Sequence, residues 1–223
     1  MDIQHALIAM IQQADRQGAG RLLDAWGDEH GYERLLAEVL EPTLLMIGED
    51  WRSSEAFTLA QAYVAAKVAE DALLKIAERK KDGALAPAGK GPVVIGNIEE
   101  DFHSLGRRML GIFLAADGWV VHDLGNDVPA ALFVDKAVEV NARVIGVSAM
   151  MLTTAHNIKQ LRLELDRRGL SGRIQLAVGG AVFLVRPGLD REVGGDGTAR
   201  TALEATALFS RLWEASLKRE AAL

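Results

Sequence analysis

The chain has 223 residues, of which 49% are hydrophobic and 25% are charged, and its formal net charge is −6. This is the composition of an ordinary soluble globular protein, and the length allows one large domain or two small ones. The absence of cysteine excludes disulfides, thiolate zinc sites, iron–sulfur clusters and a cysteine nucleophile, and the acidic balance without a basic stripe argues against direct nucleic-acid binding.

Residues 1–82 are predicted to form a four-helix bundle. Apolar side chains recur at helical spacing in four segments: one ending near Gly18, a short one ending near Gly27 or Gly31, one over Tyr32–Met46, and one from about Glu55 to Lys80. Pro42 is expected to kink or split the third helix. Helices of this length joined by short turns make a small bundle.

The second half of the chain is predicted to be an α/β domain over residues 92–223, reached through a linker at 83–91 that is poor in large apolar residues. Strands are predicted at Val93–Gly96, Trp119–Asp123, Val144–Ser148 and Ile174–Val178, with a fifth near Val193, and helices at about 105–117, 130–141, 155–168 and 202–220. This alternation predicts a flavodoxin-like or Rossmann-like doubly wound parallel sheet, with helices on both faces.

The loop after the first predicted strand concentrates reactive side chains, at the end of a sheet where such folds bind ligands. Asp101, His103 and Ser104 lie on it and Gly106 follows, without a dinucleotide or Walker-type glycine fingerprint. Asp101 is near enough in sequence to hydrogen-bond one ring nitrogen of His103 while the other nitrogen ligates a metal. The alternative is a capping aspartate beside an exposed histidine at a helix start.

Asp101-Phe-His103-Ser-Leu-Gly106 resembles the D-x-H-x-x-G motif of cobalamin (vitamin B12)-binding domains of the methionine synthase type. Two later elements of that family follow in order: Ser148-Ala-Met150 stands at its S-x-L, and Gly179-Gly180 at its Gly-Gly. Asp123-Leu-Gly125-Asn-Asp127-Val-Pro129 is similar to its second strand and loop. The resemblance implies a cobalamin-binding domain, and it implies that the first half is the helical cap of cobalamin carrier proteins.

The resemblance also implies roles for individual residues. His103 would be the lower axial ligand of cobalt, replacing the cofactor's own dimethylbenzimidazole. Asp101 and the hydroxyl of Thr154, where the family has serine, would form a relay with it; an N-cap is the alternative for Thr154. The full predicted cofactor-binding set is Trp51, Asp101, His103, Ser104, Gly106, Ser148, Met150, Thr153, Thr154, Gly179 and Gly180, with His103 as the metal ligand and no catalytic residue.

The remaining members of this set are expected to contact the cofactor's tail or its upper face. Ser148 would hydrogen-bond the buried tail, and Met150 would pack near it unless it is simply core. The three glycines would leave room for the tail and its phosphate, because a Cβ would collide. Trp51 would cover the methyl or adenosyl group of methylcobalamin or adenosylcobalamin, with bundle core as its alternative.

Two functions fit this domain layout. The first is a corrinoid methyl carrier whose cobalt cycles between Co(I) and methyl-Co(III). Its partners would be methyltransferase subunits and a reductive activator, and it would be a carrier subunit more than a complete enzyme. The alternative is a stand-alone cobalamin-dependent light or ligand sensor acting through a partner protein. The segment ending at Trp51 resembles the cap of light-responsive regulators, but Gln61-Ala62 stands where they have Glu-His.

The setting predicted for the protein is the cytoplasm. No run of 18 apolar residues occurs, and the N-terminus lacks the basic-then-apolar pattern of a signal peptide. We therefore expect no membrane contact, and a homo-oligomer is compatible with the sequence.

Overall fold

A computed structural model describes residues 2–53, 57–81 and 89–220, with residues 51–53, 59 and 77–81 described by their backbone only. The chain divides into two compact units, Met1–Leu85 and Ala86–Leu223. The predicted linker, 83–91, lies largely outside the described residues. In the part of the chain that is described, no helix is both long enough and apolar enough to span a membrane.

The first unit is helical, as predicted. Its elements are α1 (Ile3–Gln12), α2 (Arg16–His30), α3 (Tyr32–Arg34), a π-helical stretch (Leu35–Leu40), α4 (Glu41–Ser53) and α5 (Leu59–Lys81). Because α3, the π-helical stretch and α4 follow one another without a break, the elements form four helical segments. Their fully buried side chains include Leu7, Leu36 and Leu73.

The end of the first helix and the effect of Pro42 differ from the prediction. The first helix ends at Gln12, because Ala14 adopts a left-handed φ of 59°, and Gly18 lies inside α2, where its N–H donates to the capping carboxylate of Asp15 (2.8 Å). Pro42 does not split its helix. It is the second residue of α4, the π-helical stretch directly precedes it, and the helical segment continues through it. The predicted start of the fourth helix, Glu55, lies outside the described residues.

A reciprocal pair of hydrogen bonds caps the observed start of α5. The Thr58 N–H donates to Oε1 of Gln61 (2.8 Å), and the Gln61 N–H donates to the Thr58 hydroxyl (3.3 Å). This is a capping box. The side chain of Gln61 also donates to the carbonyl of Gln12 (3.1 Å), so it ties the start of α5 to the end of α1.

The second unit is the predicted doubly wound α/β fold. Its strands are β1 (Pro92–Asn97), β2 (Val120–Asp123), β3 (Val144–Ser148), β4 (Gln175–Gly179) and β5 (Gly197–Thr198), all parallel in the order β2-β1-β3-β4-β5. The helices are α6 (Leu105–Ala116), α7 (Ala130–Glu139), α8 (Leu152–Arg167), α9 (Ala181–Val185), α10 (Leu189–Glu192) and α11 (Ala202–Glu220).

The sheet is buried on both faces. Val94 faces a core shared with α7 and α8, whereas its neighbours Val93 and Ile95 face a second core that includes Phe209 of α11. Strands covered on both sides read as continuous apolar runs, which is why β1, β3 and β4 are identifiable from the sequence.

Two predictions about this unit are wrong. The fifth strand lies at Gly197–Thr198 and not near Val193, which is a fully buried residue just after α10. The third helix of the domain begins at Leu152, three residues before the predicted start. The short helices α9 and α10 were not predicted.

Candidate functional site

The carboxyl ends of three neighbouring strands lie side by side. Asn97 at the end of β1 pairs with Ser148 at the end of β3, and Ser148 pairs with Gly179 at the end of β4. β1 is also the point where the strand order reverses, since β2 lies on one side of it and β3 on the other. A crevice at such a switch point is the usual ligand site of open α/β sheets.

Asp101 is fully buried at this edge, and four groups donate hydrogen bonds to its carboxylate. The Asn97 amide (2.9 Å) and the His103 N–H (3.0 Å) donate to Oδ1. The Met150 N–H and the Thr154 hydroxyl, both at 2.8 Å, donate to Oδ2. The site therefore joins the β1–α6 loop to the β3–α8 loop.

These hydrogen bonds set the charge of Asp101. Burial alone would raise the pKa of Asp101, but the donors, led by the backbone N–H groups of Met150 and His103, outweigh it and lower the pKa below its ordinary value. The group is a carboxylate at neutral pH. It does not cap the following helix, because the N-cap of α6 is Ser104, so the capping alternative for Asp101 is wrong.

His103 lies beside this carboxylate with 48% of its side chain exposed. Its Nδ1 is 3.5 Å from Oδ1 of Asp101, which is longer than a hydrogen bond. Since Nδ1 is the ring nitrogen beside Asp101, Nε2 is the nitrogen available to a metal.

Thr154 reaches Asp101 from the first turn of α8. It is the third residue of that helix, whose N-cap is Met151, so the N-cap alternative for Thr154 is wrong. Its neighbour Thr153 is exposed. The Thr154 hydroxyl is also 3.1 Å from the Met151 carbonyl, a second acceptor that competes for its single proton.

Two of the three predicted glycines border open space. A Cβ added to Gly106 or Gly179 would have no heavy atom of the described chain within 4 Å. Gly180 is different, because its φ is +117° and a Cβ would lie 2.0 Å from the Ala149 carbonyl oxygen. The protein itself therefore requires glycine at 180, whereas nothing in the described chain requires it at 106 or 179.

Apolar side chains are exposed around this edge. Phe102, Met150 and Met151 are 65%, 47% and 52% exposed, so the core alternative for Met150 is wrong. Ser148 is half-buried, and Ser104 is half-buried at its N-cap position, where its side chain makes no capping hydrogen bond within the described residues. The backbone of Trp51 lies in α4 of the other unit, and its side chain is outside the description.

Sequence reasoning missed two residues of the site, Asn97 and Arg107. Asn97 is fully buried and Arg107 is 7% exposed, and the Arg107 Nε donates to the Asn97 side-chain carbonyl (2.7 Å). A polar residue closing an apolar strand was the available signal for Asn97. Arg107 carried none, because an arginine on an amphipathic helix usually lies at the surface.

Comparisons with known proteins point to one family. The B12 binding domain matches residues 91–207. The chain is 37% identical over 139 residues to dimethylamine corrinoid protein 2 of Methanosarcina mazei, covering 62% of this chain and 64% of that protein. It is 33% identical over 168 residues to a corrinoid protein of Desulfitobacterium hafniense, covering 75% of this chain and 76% of that one.

The fold has a solved counterpart. The structure of the Methanosarcina barkeri monomethylamine corrinoid protein superposes with a TM-score of 0.74 over 91% of this chain and 94% of that chain, at 22% identity. At this level of identity the likeness concerns the fold. The first curated relative is matched over slightly less than two thirds of its own length.

Proposed function

This chain belongs to the B12 binding domain family, and from that premise we propose that it is a corrinoid methyl carrier, with His103 as the protein ligand to cobalt. The observation that carries the proposal is the buried, four-fold hydrogen-bonded Asp101 carboxylate beside the half-exposed His103 imidazole. The carrier role is supported by the corrinoid proteins among its relatives, one of which is named for dimethylamine.

The residues at the sheet edge fit a cobalamin. Corrin nitrogens supply most of the cobalt's ligands, so one neutral imidazole nitrogen is what the protein must add, and Nε2 of His103 is free of Asp101. The open space beside Gly106 and Gly179 is available to the displaced dimethylbenzimidazole tail, next to the Ser148 hydroxyl. The exposed apolar side chains of Phe102 and Met150 offer contacts to a large, largely apolar ring.

When bound, the cobalt centre supplies a nucleophile that accepts and gives up a methyl group. The chain's own contribution is ligation and proton control. With cobalamin bound, the Asp101 carboxylate would accept a hydrogen bond from Nδ1 of His103, which would leave Nε2 for the cobalt. Thr154 and Met150 N–H hold the carboxylate in place from the neighbouring loop.

The proposed partners are methyltransferase subunits, with a reductive activator to restore the low-valent cobalt, in the cytoplasm. Since a matched relative is a dimethylamine corrinoid protein, a dimethylamine methyltransferase is the first partner to test. The form of the cofactor bound during methyl transfer would be methylcobalamin.

The test of the site is His103→Ala against His156→Ala. His156 is a matched control, because its side chain is 41% exposed and its ring contacts Glu192 (3.2 Å) and no other described side chain within hydrogen-bond distance. We expect the wild-type chain and the His156 variant to bind cobalamin with a histidine on cobalt, seen in visible spectra and in electron paramagnetic resonance of the Co(II) form. His103→Ala should bind weakly with dimethylbenzimidazole still coordinated. An unchanged histidine signal in that variant would remove His103 from the ligand role.

The test of the carrier role is methyl transfer. The reduced, cobalamin-loaded chain should take up a methyl group from dimethylamine in the presence of its methyltransferase, and His103→Ala should do so far more slowly. Loading with adenosylcobalamin in the dark, followed by a light-driven change in assembly on size-exclusion chromatography, would instead support a sensor.

A further inference from the structure

Arg107 is a buried cation whose guanidinium contacts three side chains. Its Nε donates to the Asn97 carbonyl oxygen (2.7 Å), its Nη1 forms an ion pair with Asp123 at the end of β2, and its Nη2 donates to the Asn126 side chain (3.1 Å). Only 7% of Arg107 is exposed. A buried charge with partners on β1, β2 and the β2–α7 loop is held in one geometry.

The Asn97 side chain connects the Arg107 guanidinium to the loop that carries His103. Its side-chain amide donates to Oδ1 of Asp101 (2.9 Å) and to the backbone carbonyl of His103 (3.1 Å). One amide group therefore holds both ends of the three-residue segment from Asp101 to His103. The distance of Nδ1 of His103 from Asp101 depends directly on this segment.

Arg107 also decides which way round the Asn97 amide lies. A guanidinium has donors and no acceptor, so the oxygen of the amide must face Arg107, and its NH₂ must then face Asp101 and His103. If the amide were reversed, its oxygen would lie against the Asp101 carboxylate, which accepts hydrogen bonds and does not donate them. The network has only one satisfied arrangement.

We propose that Arg107 is a positioning residue for the cobalt ligand, and that through Asn97 it holds the Asp101–His103 loop ready for ligation before the cofactor arrives. The inference rests on the proposed function. A preformed loop lowers the cost of exchanging dimethylbenzimidazole for histidine, because the ordering is completed during folding.

Lysine cannot replace arginine in this role. An ammonium can pair with Asp123 but lacks the planar fork that contacts three partners at fixed angles. Arg107→Lys thus keeps the buried charge and removes the hold on Asn97. Asn97→Ala removes the link from the other side while leaving Arg107 its ion pair with Asp123.

The experiment uses the full-length chain labelled with ¹⁵N-histidine and loaded with unlabelled cobalamin, reduced to Co(II) and studied by electron paramagnetic resonance. Coordination by histidine splits the cobalt lines into doublets, and coordination by dimethylbenzimidazole splits them into triplets. The wild-type chain should give doublets. Arg107→Lys and Asn97→Ala should lower the doublet-to-triplet ratio roughly tenfold, the effect expected from losing one hydrogen bond to a charged group.

The matched control is Arg108→Lys. Arg108 is the next residue of α6, is half-buried, and its side chain makes no hydrogen bond to any described residue, so its variant should give wild-type doublets. The inference is overturned if Arg107→Lys and Asn97→Ala bind cobalamin with wild-type doublets. It is also overturned if both variants lose their fold and cobalamin does not restore it, because Arg107 then serves the fold. Absence of doublets in the wild-type chain would refute the proposed function itself.

Discussion

At Asp101, two backbone N–H groups, one amide and one hydroxyl satisfy both oxygens of a buried carboxylate. Burying a charge is costly unless it is hydrogen-bonded, and here the hydrogen bonds prevail, since the pKa of Asp101 is lowered. The group is therefore a fixed anion beside the His103 imidazole. It is not a general acid at neutral pH.

The lowered pKa of Asp101 predicts a pH dependence of stability. A carboxyl whose folded-state pKa lies below its unfolded value of about 3.9 stabilises the fold above that pH and loses the contribution as the pH falls through the folded pKa. We expect the free energy of unfolding of the wild-type chain to fall more steeply below about pH 4 than that of Asp101→Asn. Urea unfolding at a series of pH values measures it, and parallel profiles would contradict it.

Thr154 offers a second prediction at the scale of one side chain. Thr154→Val removes a hydroxyl donor and leaves the volume nearly unchanged, so it should lower the free energy of unfolding by about 1.5–3 kcal/mol, the contribution of a hydrogen bond to a charged group. Thr154→Ser keeps the hydroxyl and is the control, expected to retain the histidine-on spectrum. Equal stability of Thr154→Val and wild type would show that the contact to Asp101 (2.8 Å) carries no energy.

The sequence predicted only part of this residue network. Asp101 and His103 stand two positions apart in a recognisable motif, so their proximity was predictable. Asn97 and Arg107 are ten positions apart and meet only when α6 packs on β1. Met150 N–H and Asp101 are 49 positions apart, and no local pattern records a contact that depends on strand pairing.

At the scale of elements, substitutions of the glycines at the start of α6 and the end of β4 should change cobalamin binding without destabilising the fold. Gly106→Ala should raise the free energy of unfolding by about 0.5–1 kcal/mol, because alanine is favoured over glycine in a helix, and should weaken cobalamin binding. Gly179→Ala should also weaken binding with little loss of stability, since its Cβ meets no described atom. Thermal unfolding without cofactor and cobalamin titration measure the two effects.

Gly180→Ala is the control, and unlike the other two substitutions it should destabilise the fold. Its left-handed φ and the 2.0 Å approach to the Ala149 carbonyl predict a loss of stability of at least about 1–3 kcal/mol. If Gly106→Ala and Gly179→Ala bind cobalamin as tightly as wild type, the open space beside them is not where the tail lies.

The types of the long elements were predictable, and the short ones were not. Buried parallel strands give β-branched apolar runs, and amphipathic helices give a 3.6-residue period. β5 has two residues and α10 four, too few to display either period. Val193 is buried because it follows the end of α10. In the sequence, a single buried apolar residue after a short helix cannot be told from one in a short strand.

At the scale of the whole molecule, each unit has its own interior. Both sheet cores, one containing Val94 and the other Val93, consist of residues of the second unit. We predict that a chain without residues 1–82 folds and binds cobalamin, and that its cobalt–alkyl bond photolyses faster because the cap is gone. Circular dichroism and photolysis rates measure this, and equal rates would show that the helical unit does not protect the cofactor.

The architecture of the second unit was predictable from alternation and connection lengths, because right-handed crossovers leave few topologies. The strand order β2-β1-β3-β4-β5 is what placed the reactive loop at the switch point. The strand register that pairs Asn97 with Ser148 could not be predicted from the sequence, because a shift by two residues would leave the same faces buried.

The four donors to Asp101 become available at different times during synthesis of the chain. Asn97 and His103 are close in sequence, but Met150 and Thr154 follow 49 and 53 positions later. A nascent chain that has emerged only as far as α7 can offer the carboxylate half of its partners. Long-range pairings of this kind add loop-closure entropy to the folding barrier, so we expect a growing chain to acquire its affinity for the cofactor only after β3 and α8 have left the ribosome and docked on β1.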